Sequence, residues 1–403
     1  MWYEATKELR RQGKGKVVVV GIVQDQHPDR ARLFLQWKQV DWPILADPLN
    51  ALNLETVPIA LGVDEYGIVR LTELPMSAAA TIEQTFVSKQ YAPPPKNAPV
   101  EPEPDLRALA RAAHGGLTSA LAYGDAVAVW GRGPSQLGEA IEAYREAVRL
   151  DPKSGVAHFR LGSSLRARYD SAARRGADFQ EAVAEWNVAV ELEPNRYIYR
   201  RRAQQYGPRL ATPVDLFDWV RSARAAVSVR GEAPVPLLVE PGESEFTSPS
   251  AAADALASGN GRPAKTTEPD PQGRLRRDQG EFVGLDTTVA PLMVAPAGEA
   301  RVHLAFRPNL GRKAHWNNSV DPLTIWLKLP EGWSGDRVPV VVPNAAGEVS
   351  QETRSAQFQV QVPAGAHPGP ARITGYATYY VCEDVQGVCV YRRRDIDVSM
   401  NVR

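Results

Sequence analysis

Cysteine is nearly missing from this chain: there are two among 403 residues, seven positions apart in YYVCEDVQGVCVY, residues 379–391. A framework of several disulfides is therefore excluded, and any thiol chemistry is confined to that one stretch. Histidine is sparse as well, and the six, at 27, 114, 158, 303, 315 and 367, show no metal-ligand spacing. Excess charge of either sign is lacking, since Lys plus Arg and Asp plus Glu each number 47. No global field draws the chain to nucleic acid or to an anionic membrane surface. The longest apolar run, Val17 to Val23, is far too short to span a bilayer, and the start MWYEATKELRRQGKGK lacks the apolar centre of a secretory signal. No nucleotide-binding glycine loop and no serine-hydrolase elbow occurs. The sequon Asn317-Asn318-Ser319 stands without any other secretory feature and is read as chance.

The length predicts roughly two to four domains. Two stretches have the composition of linkers. YAPPPKNAPVEPEP, residues 91–104, should run extended because its prolines fix φ and remove donors. Residues 239–280 begin with a long segment, Val239 to Gly273, that is poor in large apolar side chains and is expected to be disordered. The fold class expected is multidomain, with an α/β block at 1–90, an all-α block at 105–238 and an all-β block at 281–403.

In the first block, Trp2 to Gln12 reads as a short helix, KVVVVGIVQD as a buried strand and DRARLFLQWKQV as an amphipathic helix. WPILAD, VPIALGVD and IVRLTEL read as further strands. The alternation predicts a layer with a mixed sheet. Val57-Pro58-Ile59 and the Asp-x-x-Gly hairpin in GVDEYGIVR, residues 62–70, resemble the second half of a thioredoxin-like fold of the TlpA or alkyl-hydroperoxide-reductase/thiol-specific-antioxidant kind. That resemblance implies a redoxin, with Pro58 as its cis-proline. The family's cysteine-bearing strand precedes its first helix and has no counterpart here, so the block has no nucleophile. The expectation is a late start or truncated gene model at Met1; the alternative is a degenerate domain kept for packing or binding.

The middle block repeats. QLGEAIEAYREAVRLDP places Ala140, Tyr144, Ala147 and Pro152 at steps of four, three and five, and FQEAVAEWNVAVELEP repeats them with Ala182, Trp186, Ala189 and Pro194. These intervals resemble the second helix of a tetratricopeptide repeat, in which small residues let helices approach. The copies are 42 residues apart rather than about 34, which places a widened loop near RYDSAARRGAD. His158, Leu161 and Gly162 fall on the intervening first helix, and Gly124 starts an earlier repeat. Such repeats imply a protein partner. RYIYRRRAQQYGPRL, residues 196–210, adds Tyr197, Arg200, Arg201 and Arg202 as candidates for binding an acidic peptide or phosphate. The competing reading is a capping helix whose tyrosines pack and whose arginines reach water.

In the last block RVHLAFR, LTIWLKL and AQFQVQV alternate as half-buried antiparallel strands do, and their turn spacing suggests a sandwich. ITGYATYYVC and CVYRRRDIDVSMNV flank EDVQGV as a hairpin containing Gly387. In it Cys382 and Cys389 can face each other at a separation a disulfide tolerates. Closing that short loop would stabilise the fold by about 2.5 kcal/mol in the chain-entropy model. Arg392 to Arg394 favour a thiolate, whereas Glu383 and Asp384 oppose it. A metal clip is disfavoured, since the nearest histidine in sequence is His367. Staple and redox couple both remain open on local charge.

The block as a whole resembles the N-terminal immunoglobulin-like domain of the periplasmic thiol reductase of the DsbD type. The carrying residues are Gly375-Tyr376, Tyr379-Tyr380 before Cys382, the acidic loop, Gly387 and Cys389, with a cysteine spacing one residue longer than the family's. The resemblance implies that Cys382 and Cys389 are catalytic and exchange electrons with a thioredoxin-like partner. The function expected is thiol–disulfide redox work of antioxidant type without a cofactor. The alternative is a non-catalytic repeat scaffold with a structural disulfide. A persistent disulfide needs an oxidising compartment, so an extracytoplasmic address is expected if residues precede Met1, and a cytoplasmic one otherwise.

Overall fold

The computed structural model describes residues 7, 8, 10, 11, 17–55, 57, 59–72, 82–93, 95, 103–132, 135–209, 219–238, 267–336, 338–384 and 387–403. It contains both helices and sheets, in two compact units: Met1–Arg168 with Val188–Arg201 and Ala223–Val239, and Tyr169–Asn187 with Arg202–Ser222 and Glu240–Arg403.

In the first unit β1 (Gly21–Val23) pairs in parallel with β2 (Ile44–Ala46), and α1 (Asp29–Lys38) connects them. Helix α1 opens on Asp29, buries Leu33 and stops at Gln39, whose φ of 50° is left-handed. Then β3 (Gly62–Val63) and β4 (Val69–Leu71) form an antiparallel hairpin. Its turn is built by Asp64, whose Oδ1 accepts from the backbone N–H of Tyr66 and Ile68 at 2.9 Å each, while Gly67 supplies a φ of 82°. Residues 7, 8, 10 and 11 of the expected Trp2–Gln12 helix are described, and they are helical. The run expected as a buried strand yields only the three residues of β1. Ile22 and Leu45 are 45% and 56% exposed, because among the described residues each of these strands has a single neighbour. Among the described residues, two separate two-stranded sheets stand in place of the mixed sheet.

The helices that follow are α2 (Leu106–Ala112), α3 (Leu117–Trp130), α4 (Gln136–Leu150), α5 (Gly155–Tyr169), α6 (Asp178–Leu192), α7 (Tyr197–Tyr206) and α8 (Trp219–Val229). Asp105 caps α2, its Oδ1 accepting from Arg107 and Ala108 N–H at 3.0 Å each. Ala140, Tyr144 and Ala147 on α4, and Ala182, Trp186 and Ala189 on α6, are all fully buried, so the repeated steps mark the packed face of each helix. Ala120, Ala147 and Ala157 form one cluster in which α3, α4 and α5 approach through small side chains. Gly124 lies against the Tyr144 ring, and a Cβ there would fall 2.5 Å from it. The Tyr144 hydroxyl donates to Asp125 at 2.8 Å, and Asp125 also accepts from Arg160 at 2.6 Å. Residues 170–177 form the widened connection between α5 and α6.

The second unit contains two sheets around one core. The four-stranded sheet runs β10 (Ser334–Gly335), β13 (Arg354–Gln361), β7 (Glu299–Pro308), β5 (Val283–Ala290). The seven-stranded sheet has the path β11 (Val340–Val342), β9 (Leu323–Lys328), β14 (Gly369–Glu383), β15 (Cys389–Val402), β6 (Met293–Val294), with β8 (Ala314–Asn317) pairing both β14 and β12 (Val349–Ser350). Val302, Leu304, Phe306, Phe358 and Val360 from the first sheet meet Trp316, Ile325, Ile373, Tyr379, Val381 and Val398 from the second. Alternate residues therefore point outward. The outer face of the four-stranded sheet is covered within this unit. Gln180 exchanges two hydrogen bonds with the Val289 backbone, at 2.9 and 2.8 Å, the Phe179 and His303 rings lie 5.3 Å apart, and Arg209 grips Asp336 through two bonds of 2.6 Å.

Two substitutions separate tight helix packing from helix propensity. Gly124→Ala forces a methyl into the Tyr144 ring and should cost about 1–3 kcal/mol in urea unfolding. Gly138→Ala meets open space and should stabilise by about 0.5–1 kcal/mol. Equal effects from the two would contradict the packing of α3 on α4.

Candidate functional site

The hairpin register is unbroken from Gly369 opposite Val402 to Cys382 opposite Cys389. Ile373, Ala377, Tyr379 and Val381 belong to the core, so the period of two turns Tyr380 and Cys382 to the outer face. Their partners Tyr391 and Cys389 lie beside them on that face. Cys382 and Cys389 are joined in a disulfide, with Cα atoms 3.9 Å apart. Cys382 is buried and Cys389 is exposed. One sulfur-bearing residue is thus open to a partner while the other is shielded.

On its other side Cys382 pairs with His315 of β8. Trp316 points into the core, so His315 shares the outer face with the two cysteines. It is buried, and its Nδ1 lies 3.3 Å from the Lys313 carbonyl. One row up, the Tyr380 and Tyr391 rings pack with centroids 4.5 Å apart. At the tip Arg312 pairs with Glu383 at 3.1 Å and Glu281 at 2.8 Å, and Lys313 with Asp384 at 3.6 Å. The acidic loop that sequence sets against a thiolate is thereby countered by cations.

The arginines after Cys389 have other work. Arg393 donates to Asp270 at 3.0 Å and to Asp395 at 2.7 Å, and it lies over the Tyr376 ring at 3.9 Å. Arg394 donates to the Asp278 carbonyl at 2.8 Å, and Arg392 lies over Phe282 at 5.5 Å. These contacts hold a strap, residues 267–282, along β15. This corrects the expectation of a disordered linker through residue 280. Asp278 accepts from the backbone N–H of Gly280, Glu281, Phe282 and Val283 and from the Tyr379 hydroxyl, at 2.8 to 3.2 Å. Burial first, and then the Asp278 charge, push the Tyr379 phenol up. Polar composition signals solvation, but here the carboxylates are satisfied by backbone donors. His315 was visible in sequence only as a histidine without metal spacing; the alternation in AHWN, with Trp316 inward, is the signal that turns it toward the cysteines.

The remaining predicted site residues lie in the helices and the first block. Pro58 lies outside the described residues. On α7, Tyr197, Arg200 and Arg201 share a side by their i, i+3, i+4 spacing, and Arg200 is exposed. Arg202 is not part of that side. It is buried with its guanidinium 5.6 Å from the Trp186 ring centre, which removes it from an open basic patch. The Tyr197 N–H donates to the Glu55 carbonyl at 3.0 Å, Arg196 to Asn53 at 2.8 Å, and Gln26 to the Ser163 carbonyl at 3.0 Å. The helical surface expected to hold a partner is therefore occupied in part by this chain's own first block. Among the described residues, no helix is long and apolar enough to cross a membrane.

No protein-family model matches the chain, and no curated protein does. A solved structure described as "AvmM Catalyzes Macrocyclization in Alchivemycin A Biosynthesis" is similar at 12% identity over 32% of this chain and 94% of that one, with a TM-score of 0.19. A likeness that faint carries no functional argument.

Asp278→Ala strips the strap and Tyr379 of a shared buried acceptor and should cost about 3 kcal/mol in urea unfolding; a loss below about 0.5 kcal/mol would show the strap to be incidental. Acid should loosen the same element. Burial alone would raise the Asp270 pKa, but hydrogen bonds from Arg393 and from the Arg274 and Leu275 amides hold it below the usual range. A depressed carboxylate contributes stability above its unfolded pKa and loses it as pH falls through the folded one. Hydrogen exchange at residues 274–278, corrected for intrinsic rates, should therefore accelerate between the ordinary carboxylate range and lower pH. Asp270→Asn should weaken that dependence, leaving the part due to Asp395, which, against its burial, hydrogen bonds from Arg393 and Arg277 likewise hold below the usual range.

Proposed function

We propose that this protein is a thiol–disulfide exchange protein of thioredoxin-like, antioxidant type. In this reading the first block is a partial thioredoxin-like fold, the helices are tetratricopeptide repeats, and the sandwich is immunoglobulin-like, similar to the N-terminal domain of the DsbD type. The observation that supports it is the asymmetry of the hairpin disulfide: Cys389 is exposed beside an aromatic pair, and Cys382 is shielded. A buried, symmetric bond would serve a staple equally well; an exposed cysteine next to aromatic side chains is what an exchanging partner needs.

The chemistry assigned is a two-step exchange. In the reduced pair the Cys389 thiolate attacks a sulfur of the partner's disulfide, forming a mixed disulfide and releasing one partner thiolate. Cys382 then attacks the Cys389 sulfur, closing the intramolecular bond and releasing the second thiolate. The partner class is a thioredoxin-like electron donor or acceptor, in an extracytoplasmic, oxidising compartment. The first block itself has no cysteine; were residues preceding Met1 to carry the family's cysteine motif, that motif would add an oxidoreductase or antioxidant-type centre to this pair.

A second reading has a specific observation in its favour. The first block carries no cysteine and fixes its polar residues to the helices through Gln26, Asn53 and Glu55. That suits a non-catalytic scaffold in which the disulfide is structural.

The two readings part on redox measurements. An exchanging pair should have a reduction potential above about −300 mV, and a structural bond one below it. Cys382→Ser, which keeps the exposed nucleophile and removes the resolving thiol, should accumulate mixed disulfides with thioredoxin-like proteins, whereas Cys389→Ser should not. A potential under that limit with no adduct from Cys382→Ser would establish the scaffold.

A further inference from the structure

Burial of Cys382 creates a difficulty that the exchange reading must meet, and His315 answers it. The second step needs Cys382 as a thiolate, yet removal from water disfavours the charged form of a thiol. Cys382 is 2% exposed. The cations that sequence places nearest are engaged elsewhere, with Arg392 on the Tyr391 carbonyl and over Phe282, Arg393 on Asp270 and Asp395, and Arg394 on the Asp278 carbonyl. Another group must take the proton.

From the register and burial of this row we infer that His315 is the proton acceptor for Cys382 during resolution of the mixed disulfide, an inference that rests on the exchange reading. The two residues are directly opposite on β8 and β14 and share the outer face. Such pairs have Cβ atoms about 4.5–5.5 Å apart, within reach of an imidazole and a thiol. A carbonyl can only accept, so the contact between Nδ1 and the Lys313 carbonyl fixes the proton on Nδ1 and leaves Nε2 with its lone pair. The same bond orients the ring. The other groups around it are poorly suited to this role. Glu383 pairs with Arg312 and Asp384 with Lys313, carboxylates being weak bases in any case. Tyr380 and Tyr391 pack their rings on one another and offer phenols, poorer proton acceptors than the lone pair of a neutral imidazole. Toward β12 the neighbour is the neutral Gln351, whose amide donates to the Ala314 carbonyl at 3.2 Å.

The step balances without a further reagent. In the mixed disulfide of Cys389 with the partner, the Cys382 thiol gives its proton to His315 Nε2. The resulting thiolate attacks the Cys389 sulfur, and the bond between the two protein sulfurs forms as the bond to the partner breaks. The electron pair leaves on the partner's sulfur. The imidazolium then returns its proton to that thiolate or to water. The partner is reduced by two electrons, and the pair on this chain is oxidised. His315 touches a reacting atom only in this second step, so its removal should spare the first.

The test is a two-phase reaction of the reduced, full-length protein with 5,5′-dithiobis(2-nitrobenzoate). Attack by exposed Cys389 releases one thionitrobenzoate, and resolution by Cys382 releases the second. His315→Gln, which keeps an amide donor for the Lys313 carbonyl, should leave the first release unchanged and slow the second about a hundredfold at neutral pH, the lower end of what a lost general base costs. The pH profile of the second release should differ in shape between the two, the variant following its thiol alone. Cys382→Ser should abolish the second release. An unchanged second rate and profile in His315→Gln would overturn the inference while leaving exchange intact, and so would a wild-type second release whose pH profile is already that of a lone thiol, a measurement that does not depend on the variant folding. If the folded wild type gives no first release, the inference and the exchange reading fall together; a potential in the structural range removes the exchange reading by its own measurement.

Discussion

The pairing of β14 with β15, continuous across fourteen residue pairs from Gly369–Val402 to Cys382–Cys389, decides what every neighbouring side chain does. Because the side-chain period of a strand is two, a slip of one residue would carry Ile373, Ala377, Tyr379 and Val381 out of the core and drive Tyr380 and Cys382 into it. The core excludes that slip, since those apolar positions interlock with Trp316, Phe306 and Val302 of both sheets. The cysteines therefore face each other on the outer surface as a consequence of packing far from them. His315 is placed by the same rule, one strand over.

The strap along β15 shows the polar counterpart of that constraint. Asp270 and Asp278 are almost completely buried, yet each gathers backbone amides and an arginine or tyrosine. They fasten a segment whose composition would otherwise leave it in solvent. In doing so they engage Arg393 and Arg394, so the basic run after Cys389 works in holding structure. The electrostatic setting of the cysteine pair is consequently set by the tip, where Arg312 and Lys313 neutralise the acidic loop, and by the imidazole across the strand.

Small residues govern the helices in a comparable way. Gly124 beneath Tyr144, and alanines at 120, 147 and 157, allow close approach, and the hydroxyl of Tyr144 is then satisfied by Asp125, which Arg160 completes. Arg160 also donates to the Asn50 carbonyl at 3.4 Å. Through this and its neighbours the first block meets the helices with polar groups. The apolar residues of its short strands, Ile22 and Leu45 among them, remain exposed.

Periodicity alone determined much of this protein. The helical steps that buried Ala140, Tyr144, Ala182 and Trp186, the widened connection at 170–177, the Asp64 turn, the alternating strands of the sandwich and the hairpin that joins Cys382 to Cys389 all follow from local spacing, because those choices depend on neighbours a few residues away. Contacts between distant residues had to come from the tertiary structure. Only there does Arg202 turn in toward Trp186, does the segment at 267–282 become a strap, and does the buried strand expected in KVVVVGIVQD shrink to Gly21–Val23, with Ile22 exposed. The difference between the two cysteines belongs to the same class. Their types and spacing are symmetric in sequence, and the sheet and loop around them shield one, expose the other and set His315 beside the shielded one.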